Sequence, residues 1–201
     1  MKIRGLLLKD WYELWNKSKV LIIMVVVYML IGLVSPTLGS VALLLCAMLP
    51  YNSIAYDEKA KWNRYALSMP VSKKELVLSK YLLGIIGVGI GIILLALLQF
   101  VPVGEPANWN MVVLSGAGAL FYLAVQLPLL FRFGTENGRI WTLLLTALFA
   151  VGIVFLTSFV EETDSVLEAA SKGWASWAAF AAAAAAQVVS YLISLKIFRV
   201  N

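Results

Sequence analysis

All but one of the 16 Lys and Arg residues fall in alternate gaps between long apolar stretches. Lys2, Arg4, Lys9, Lys17 and Lys19 precede the first stretch, and Lys59, Lys61, Arg64, Lys73, Lys74 and Lys80 lie between the second and the third. Arg132 and Arg139 flank the fourth gap, and Lys196 and Arg199 stand in the tail. The exception, Lys172, shares its gap with Glu161, Glu162, Asp164 and Glu168, and the other two gaps hold no Lys or Arg. Basic residues in short loops stay on the cytoplasmic side of a membrane. The pattern therefore predicts a polytopic membrane protein with both termini inside.

Six apolar runs are long enough, at about 20 residues each, to cross roughly 30 Å of hydrocarbon as helices. They are placed near Val20 to Val34, Leu38 to Tyr56, Leu76 to Val101, Met111 to Phe133, Arg139 to Val160 and Trp174 to Ile197. Unbroken runs such as LIIMVVVYMLIGLV lack the alternation of a β-barrel strand. The predicted class is an all-α membrane protein with six transmembrane helices, N-in and C-in, forming one domain over residues 1–201. A charged fraction of 13% supports this, since a soluble domain carries about a quarter.

Several function classes are disfavoured by the same residues. The net charge of +5 is accounted for by topology and anionic headgroups, so nucleic acid is not an expected partner and membrane lipid is. No cleavable leader is expected, because an amphipathic stretch precedes the first apolar run and no small-residue cleavage site ends it. Cys46, the single cysteine, reads as a small packing residue within the second span. The glycines at 84, 87, 89 and 91 lie within a span and lack the Lys-Ser/Thr ending of a phosphate-binding loop. Gly87-x-x-x-Gly91, Gly116, Gly118 and the Ala-rich run near Ala178 to Ala186 are read as helix-packing surfaces. Intramembrane catalysis or metal binding would need ionisable groups at depth, yet there is no His, and each Asp and Glu lies in a gap or at a span's end. An ion-coupled carrier would use carboxylates near the midplane, which are missing for the same reason.

Two segments outside the spans carry pattern. Residues 1–18 place Ile3, Leu6, Leu7, Trp11, Leu14 and Trp15 at helical spacing, with Lys9, Asp10 and Glu13 largely elsewhere, which predicts an interfacial helix. Residues 57–75 form a long charged connection. A helix is expected to begin at Asp57 or Glu58 and to stop at Pro70, and Ser72 with Glu75 three residues on forms a capping box for the third span.

These residues resemble the permeases of the type-2 ATP-binding-cassette (ABC) exporter family. Glu58, a leucine at 67, then Ser68, Pro70, Val71, Ser72, Lys73, Lys74, Glu75 and Lys80 follow the pattern after the second span of those proteins. PLLFRFGTENGRIW, from Pro128 to Trp141, is similar to the basic, glycine-containing loop after the fourth span in the small subfamily that exports peptides. The resemblance implies that 57–75 is a cytoplasmic coupling segment resting on an ATPase subunit through Glu58, Arg64, Tyr65, Leu67, Met69 and Pro70. It also implies that ATP and Mg bind a separate nucleotide-binding partner, with no cofactor in this chain, and that the permease works as a dimer with a second copy or a related permease. The implied setting is a bacterial cytoplasmic membrane, and the implied cargo an amphipathic or hydrophobic molecule such as a peptide, toxin or drug. Neutral polar and aromatic residues in the spans, among them Asn52, Gln99, Phe121, Tyr122, Gln126 and Gln187, are candidates for the substrate path or for hydrogen bonds between helices. A non-transporting membrane scaffold shares the topology and is the alternative.

Overall fold

The computed structural model describes residues 2–33, 36–62, 65–66, 71–100, 109–161 and 174–198, and among these there is no strand. Helix α1 covers Lys2–Lys17, α2 Lys19–Ile31, α3 Pro36–Ala47, α4 Leu49–Lys59, α5 Lys73–Leu98, α6 Trp109–Glu161 and α7 Trp174–Ile197. Helices α1 and α2 meet at Ser18 with a bend of 84°. The first therefore lies across the end of the bundle that the second enters. Helices α3 and α4 are separated by one residue, Met48, and Pro50 sits in the first turn of α4, where its missing amide costs no hydrogen bond.

Four helical segments among the described residues are long and apolar enough to cross a membrane: Leu38–Lys59, Lys73–Leu98, Val112–Glu136 and Ser176–Ile197. Counting the bent α1–α2 pair as one span makes five, and a shorter apolar helix runs over Gly138–Phe149. The protein is thus an all-helical membrane protein.

At 53 residues, α6 would reach about 80 Å if straight. It is instead interrupted at Gly134, whose φ of 74° and ψ of 177° lie in a region open essentially to glycine alone. Contacts on either side of that residue show a hairpin. Tyr122 and Thr146 share a hydrogen bond of 2.9 Å, the Tyr122 and Phe149 rings meet edge to face at 5.4 Å, and Phe133 stacks on Trp141.

Where α5 crosses α3 and α4, glycine sets the separation. A Cβ on Gly84 would lie 2.6 Å from Leu123 and 2.9 Å from Pro50, one on Gly87 2.8 Å from Leu49, and one on Gly91 2.8 Å from Leu43. Gly116 is similarly closed by Ile92 at 2.8 Å, whereas Gly89 and Gly118 face open space. In the Ala-rich run Ala183 is buried and Ala179 packs, partly buried, against the same core. Ala181, Ala182, Ala184 and Ala185 lie on the exposed side of α7.

Helix α7 packs chiefly on α6, and the reason is a backbone defect. Pro128 cannot donate to the carbonyl four residues earlier, so the oxygen of Ala124 is left without its helical partner. The Ser190 hydroxyl donates to that oxygen at 2.6 Å, and Gln187 Nε2 donates to the Leu120 oxygen at 2.6 Å. Tyr81 of α5 completes the seam, its hydroxyl 2.6 Å from Ser190 Oγ and 2.7 Å from Ser194 Oγ. With lipid as solvent, such bonds replace the hydrophobic drive that packs helices in water.

Candidate functional site

Asp10, Ser18, Tyr56, Asp57, Lys80, Thr135 and Phe198 gather at one end of the bundle, together with most of the basic residues. At this basic end, α1, the close of α4 and the opening of α5 are joined by a buried ion cluster. Lys80 Nζ lies 2.9 Å from both carboxylate oxygens of Asp10, 2.5 Å from Asp57 Oδ2 and 2.7 Å from Ser53 Oγ. Lys9 pairs with Asp57, lies 3.1 Å from Asp10 Oδ1 and sits 4.6 Å above the Trp62 ring. Asp10 and Asp57 are 1% and 2% exposed, so neither charge is shared with solvent. Burial alone lowers the Lys9 pKa, but Asp57 and Asp10 outweigh it and hold that ammonium above its ordinary value.

Asp10, Glu13 and Asp57 have carboxylate oxygens within 4.8 Å of one another, the spacing of a metal site. The ammonium groups of Lys9 and Lys80 already lie among them, and Lys17 pairs with Glu13 at 2.6 Å. The cluster is therefore neutralised by the chain's own cations.

The start of the connection between α4 and α5 differs from the expected helix start at Asp57 or Glu58. Helix α4 carries these residues in its last turn and ends at Lys59. The break falls at Lys61, whose φ of 52° is left-handed. Beyond it, Ala66 is buried with Leu6 of α1 and Leu76 of α5, with Trp62 and Val71 packed against them. The connection is thus seated on α1. At its far end Ser72 accepts from the Glu75 amide at 3.2 Å and donates its own amide to Glu75 at 2.7 Å, the expected capping box.

Glu58 has an internal role. Its Oε2 accepts from the Thr135 amide at 2.8 Å and from the Thr135 hydroxyl, so it caps the second arm of α6 just past the Gly134 break. Tyr65 is 63% exposed. Arg64, Leu67, Met69 and Pro70 lie outside the described residues. A cavity of about 960 Å³ opens beside these groups, bounded by α4, α5, both arms of α6 and the end of α7.

The six path candidates do not share one surface. Asn52 is half-buried on α4, Gln99 lies at the opposite end of the bundle where α5 closes, and Phe121 is 49% exposed against Phe149. Tyr122, Gln126 and Gln187 are buried within the bundle. Gln187 and Tyr122 make the interhelical bonds given above, whereas neither amide atom of Gln126 has a partner among the described residues. The ion cluster itself went unread in the sequence, although a lysine inside a span and an aspartate within an apolar helix face are each a signal that a buried partner exists.

No curated protein and no solved structure matches the chain. A family model described as "ABC-2 family transporter protein" matches residues 5–199. The chain therefore belongs to the ABC-2 transporter family, whose members are integral membrane subunits of ABC transporters, are not themselves enzymes and associate with an ABC ATPase subunit.

Proposed function

We propose that this chain is the six-span, N-in and C-in permease subunit of an ABC exporter. It pairs with a second permease copy or a related permease in a bacterial cytoplasmic membrane. ATP and Mg are bound by the separate ATPase subunit, which contacts residues 57–75 through Arg64, Tyr65, Leu67, Met69 and Pro70, with Glu58 fixing the base of that segment. The cargo is an amphipathic or hydrophobic molecule, a peptide before a drug, moved outward.

The observation that supports this best is the anchoring of the segment at both ends. Asp57 is ion-paired to α5 and α1, Glu58 is bonded to α6, Ala66 is packed on α1, and Ser72 caps α5. Displacement of such a segment moves several helices together, which is what transmission of an ATPase stroke requires. Movement of the basic ends of α4 and α5 would then alternately open and close a cleft between two permease halves.

Co-purification with the candidate ATPase, followed by ATP hydrolysis in proteoliposomes, tests the assignment. Arg64→Glu combined with Leu67→Ser is the informative variant, because altering Glu58 would also uncap α6. Association lost in the variant and present in the wild type supports the reading. Failure of the wild-type chain to bind the ATPase favours the non-transporting scaffold. For cargo, ATP-dependent accumulation of a small polar solute but no peptide in inside-out vesicles would reject peptide export.

A further inference from the structure

The cavity at the basic end has a lining that the coupling reading does not use. Five cations border it; Lys80 is committed to Asp10 and Asp57, whereas among the described residues Lys59, Lys61, Arg132 and Lys196 have no ion-pair partner. The acids on the same wall are mostly committed, Asp57 to Lys80 and Lys9, and Glu58 to Thr135. Glu136 is exposed and stands against four positive charges. The floor is apolar, formed by Ile54, Leu76, Leu130 and Phe131. Phe131 meets Phe198 edge to face at 5.4 Å, closing the space between α6 and α7.

Lys61 adds an independent observation. It follows the last turn of α4 with a φ of 52°, in the position where glycine ends a helix without steric cost. A side chain with a Cβ is strained there. Glycine would relieve the strain, yet the residue is a cation bordering the cavity.

We propose that this cavity binds the phosphate-bearing headgroup of an anionic phospholipid from the leaflet at the basic end. The headgroup phosphate lies among Lys61, Arg132 and Lys196, and the first part of an acyl chain lies over the Leu130 and Phe131 floor. A free phosphate would match the charge but leave the apolar floor uncovered. A zwitterionic lipid would match the floor but carry no net charge to offset the cations. Basic pockets between membrane helices at the level of the headgroups select anionic lipids for this reason. The site depends only on the chain's insertion in a membrane and not on the cargo; Lys61 belongs to the 57–75 segment but is not among the residues assigned to the ATPase contact.

Native mass spectrometry of the full chain, purified in neutral detergent and given equimolar phosphatidylglycerol and phosphatidylcholine, reads the site directly. The expected result is one retained phosphatidylglycerol, preferred about tenfold over phosphatidylcholine. Arg132→Gln with Lys196→Gln brings the ratio close to one, while Lys73→Gln with Lys74→Gln, which removes the same charge from the exposed start of α5, leaves it unchanged. Lys61→Gly lowers the preference several-fold while raising the thermal stability, so loss of binding by that variant cannot be loss of fold. The proposal is overturned if the wild type shows no preference, if the Arg132/Lys196 variant keeps it, or if the Lys73/Lys74 variant loses it equally. It is also overturned if glycerol 3-phosphate displaces the lipid at equal concentration, which would make the site one for soluble phosphate.

Discussion

Replacing Lys80 by Met leaves Asp10 and Asp57 facing each other in a buried site with Lys9 as the remaining cation. Their oxygens lie within 4.8 Å, and two unit charges at that separation repel by about 3.5 kcal/mol at an effective dielectric constant of about 20. Lost attraction to Lys80 adds to this, and proton uptake by one carboxylate limits the total. Removing one member of a buried pair costs about 3 to 5 kcal/mol in general. The Lys80→Met variant is accordingly expected to lose about 3 to 5 kcal/mol of unfolding free energy, measured by titrating SDS into mixed micelles. Adding Asp10→Asn removes the repulsion and leaves Lys9 paired with Asp57, so the double variant recovers about 2 to 3 kcal/mol of the loss. The triple variant with Asp57→Asn, which carries no buried carboxylate opposite the missing lysine, remains within about 2 kcal/mol of the wild type. A Lys80→Met protein as stable as wild type, or a double variant no better than the single, would refute the argument. Either result would mean that the two carboxylates are not held together in a low-dielectric site.

Four further outcomes follow from other parts of the structure. Gly134→Ala places a Cβ at a φ of 74° and 3.5 Å from the Glu58 carboxylate, and is expected to cost about 1 to 3 kcal/mol. Gly89→Ala, which meets open space within α5, should by contrast be neutral or stabilising by up to about 1 kcal/mol in the same titration. Ser190→Ala strips the partner from the Ala124 carbonyl and should cost about 0.6 to 2 kcal/mol. In a Pro128→Ala background, where the new amide can reach that carbonyl, the cost should fall, and a double-mutant cycle with no coupling would disprove the proposed link. For Lys9 the folded pKa is raised above the ordinary 10.5, so its contribution is complete below that pH and is lost as pH rises through the folded value. The stability gap between wild type and Lys9→Gln should therefore be constant from neutral pH to about 10 and close above it, as followed by thermal unfolding in detergent.

Local features of the fold were legible in the sequence. The capping box needs only Ser72, Glu75 and the helix they open, so four consecutive residues decide it. The glycine spacing at 87 and 91 announces a close crossing because nothing larger fits against Leu49 and Leu43. Membership of the ABC-2 family was likewise carried by short motifs and their order. The Gly134 turn was less legible, since FGTENG contains two glycines and an asparagine, and only the capping of Thr135 by Glu58 selects the first glycine as the break. The end of α4 was misread for a related reason: a lysine in a left-handed conformation leaves no trace in composition, whereas Pro70 is conspicuous.

The ion cluster was hidden for a different reason. Lys80 was counted with the basic loop before the third span, yet the span begins near Leu76, so the lysine is inside it. A charge in that position cannot remain unpaired in hydrocarbon, so the existence of a buried acidic partner could have been deduced. Its identity could not, because Asp10, Glu13, Asp57 and Glu58 all lie near the same end and differ little in local context. The choice is made by the 84° bend at Ser18, which lays α1 across the ends of α4 and α5. Leu8, Trp11, Tyr12 and Trp15 are thereby left exposed outside the bundle, while Asp10 is turned toward Lys80. Leu6 and Leu14, one turn to either side of Asp10, are buried on the same inward side, so that side is apolar with one carboxylate set into it. A carboxylate in that position is stable only where the protein supplies the counter-charge, and that is why Asp10, grouped by type with the charged residues of α1, is the partner of Lys80 near the start of α5.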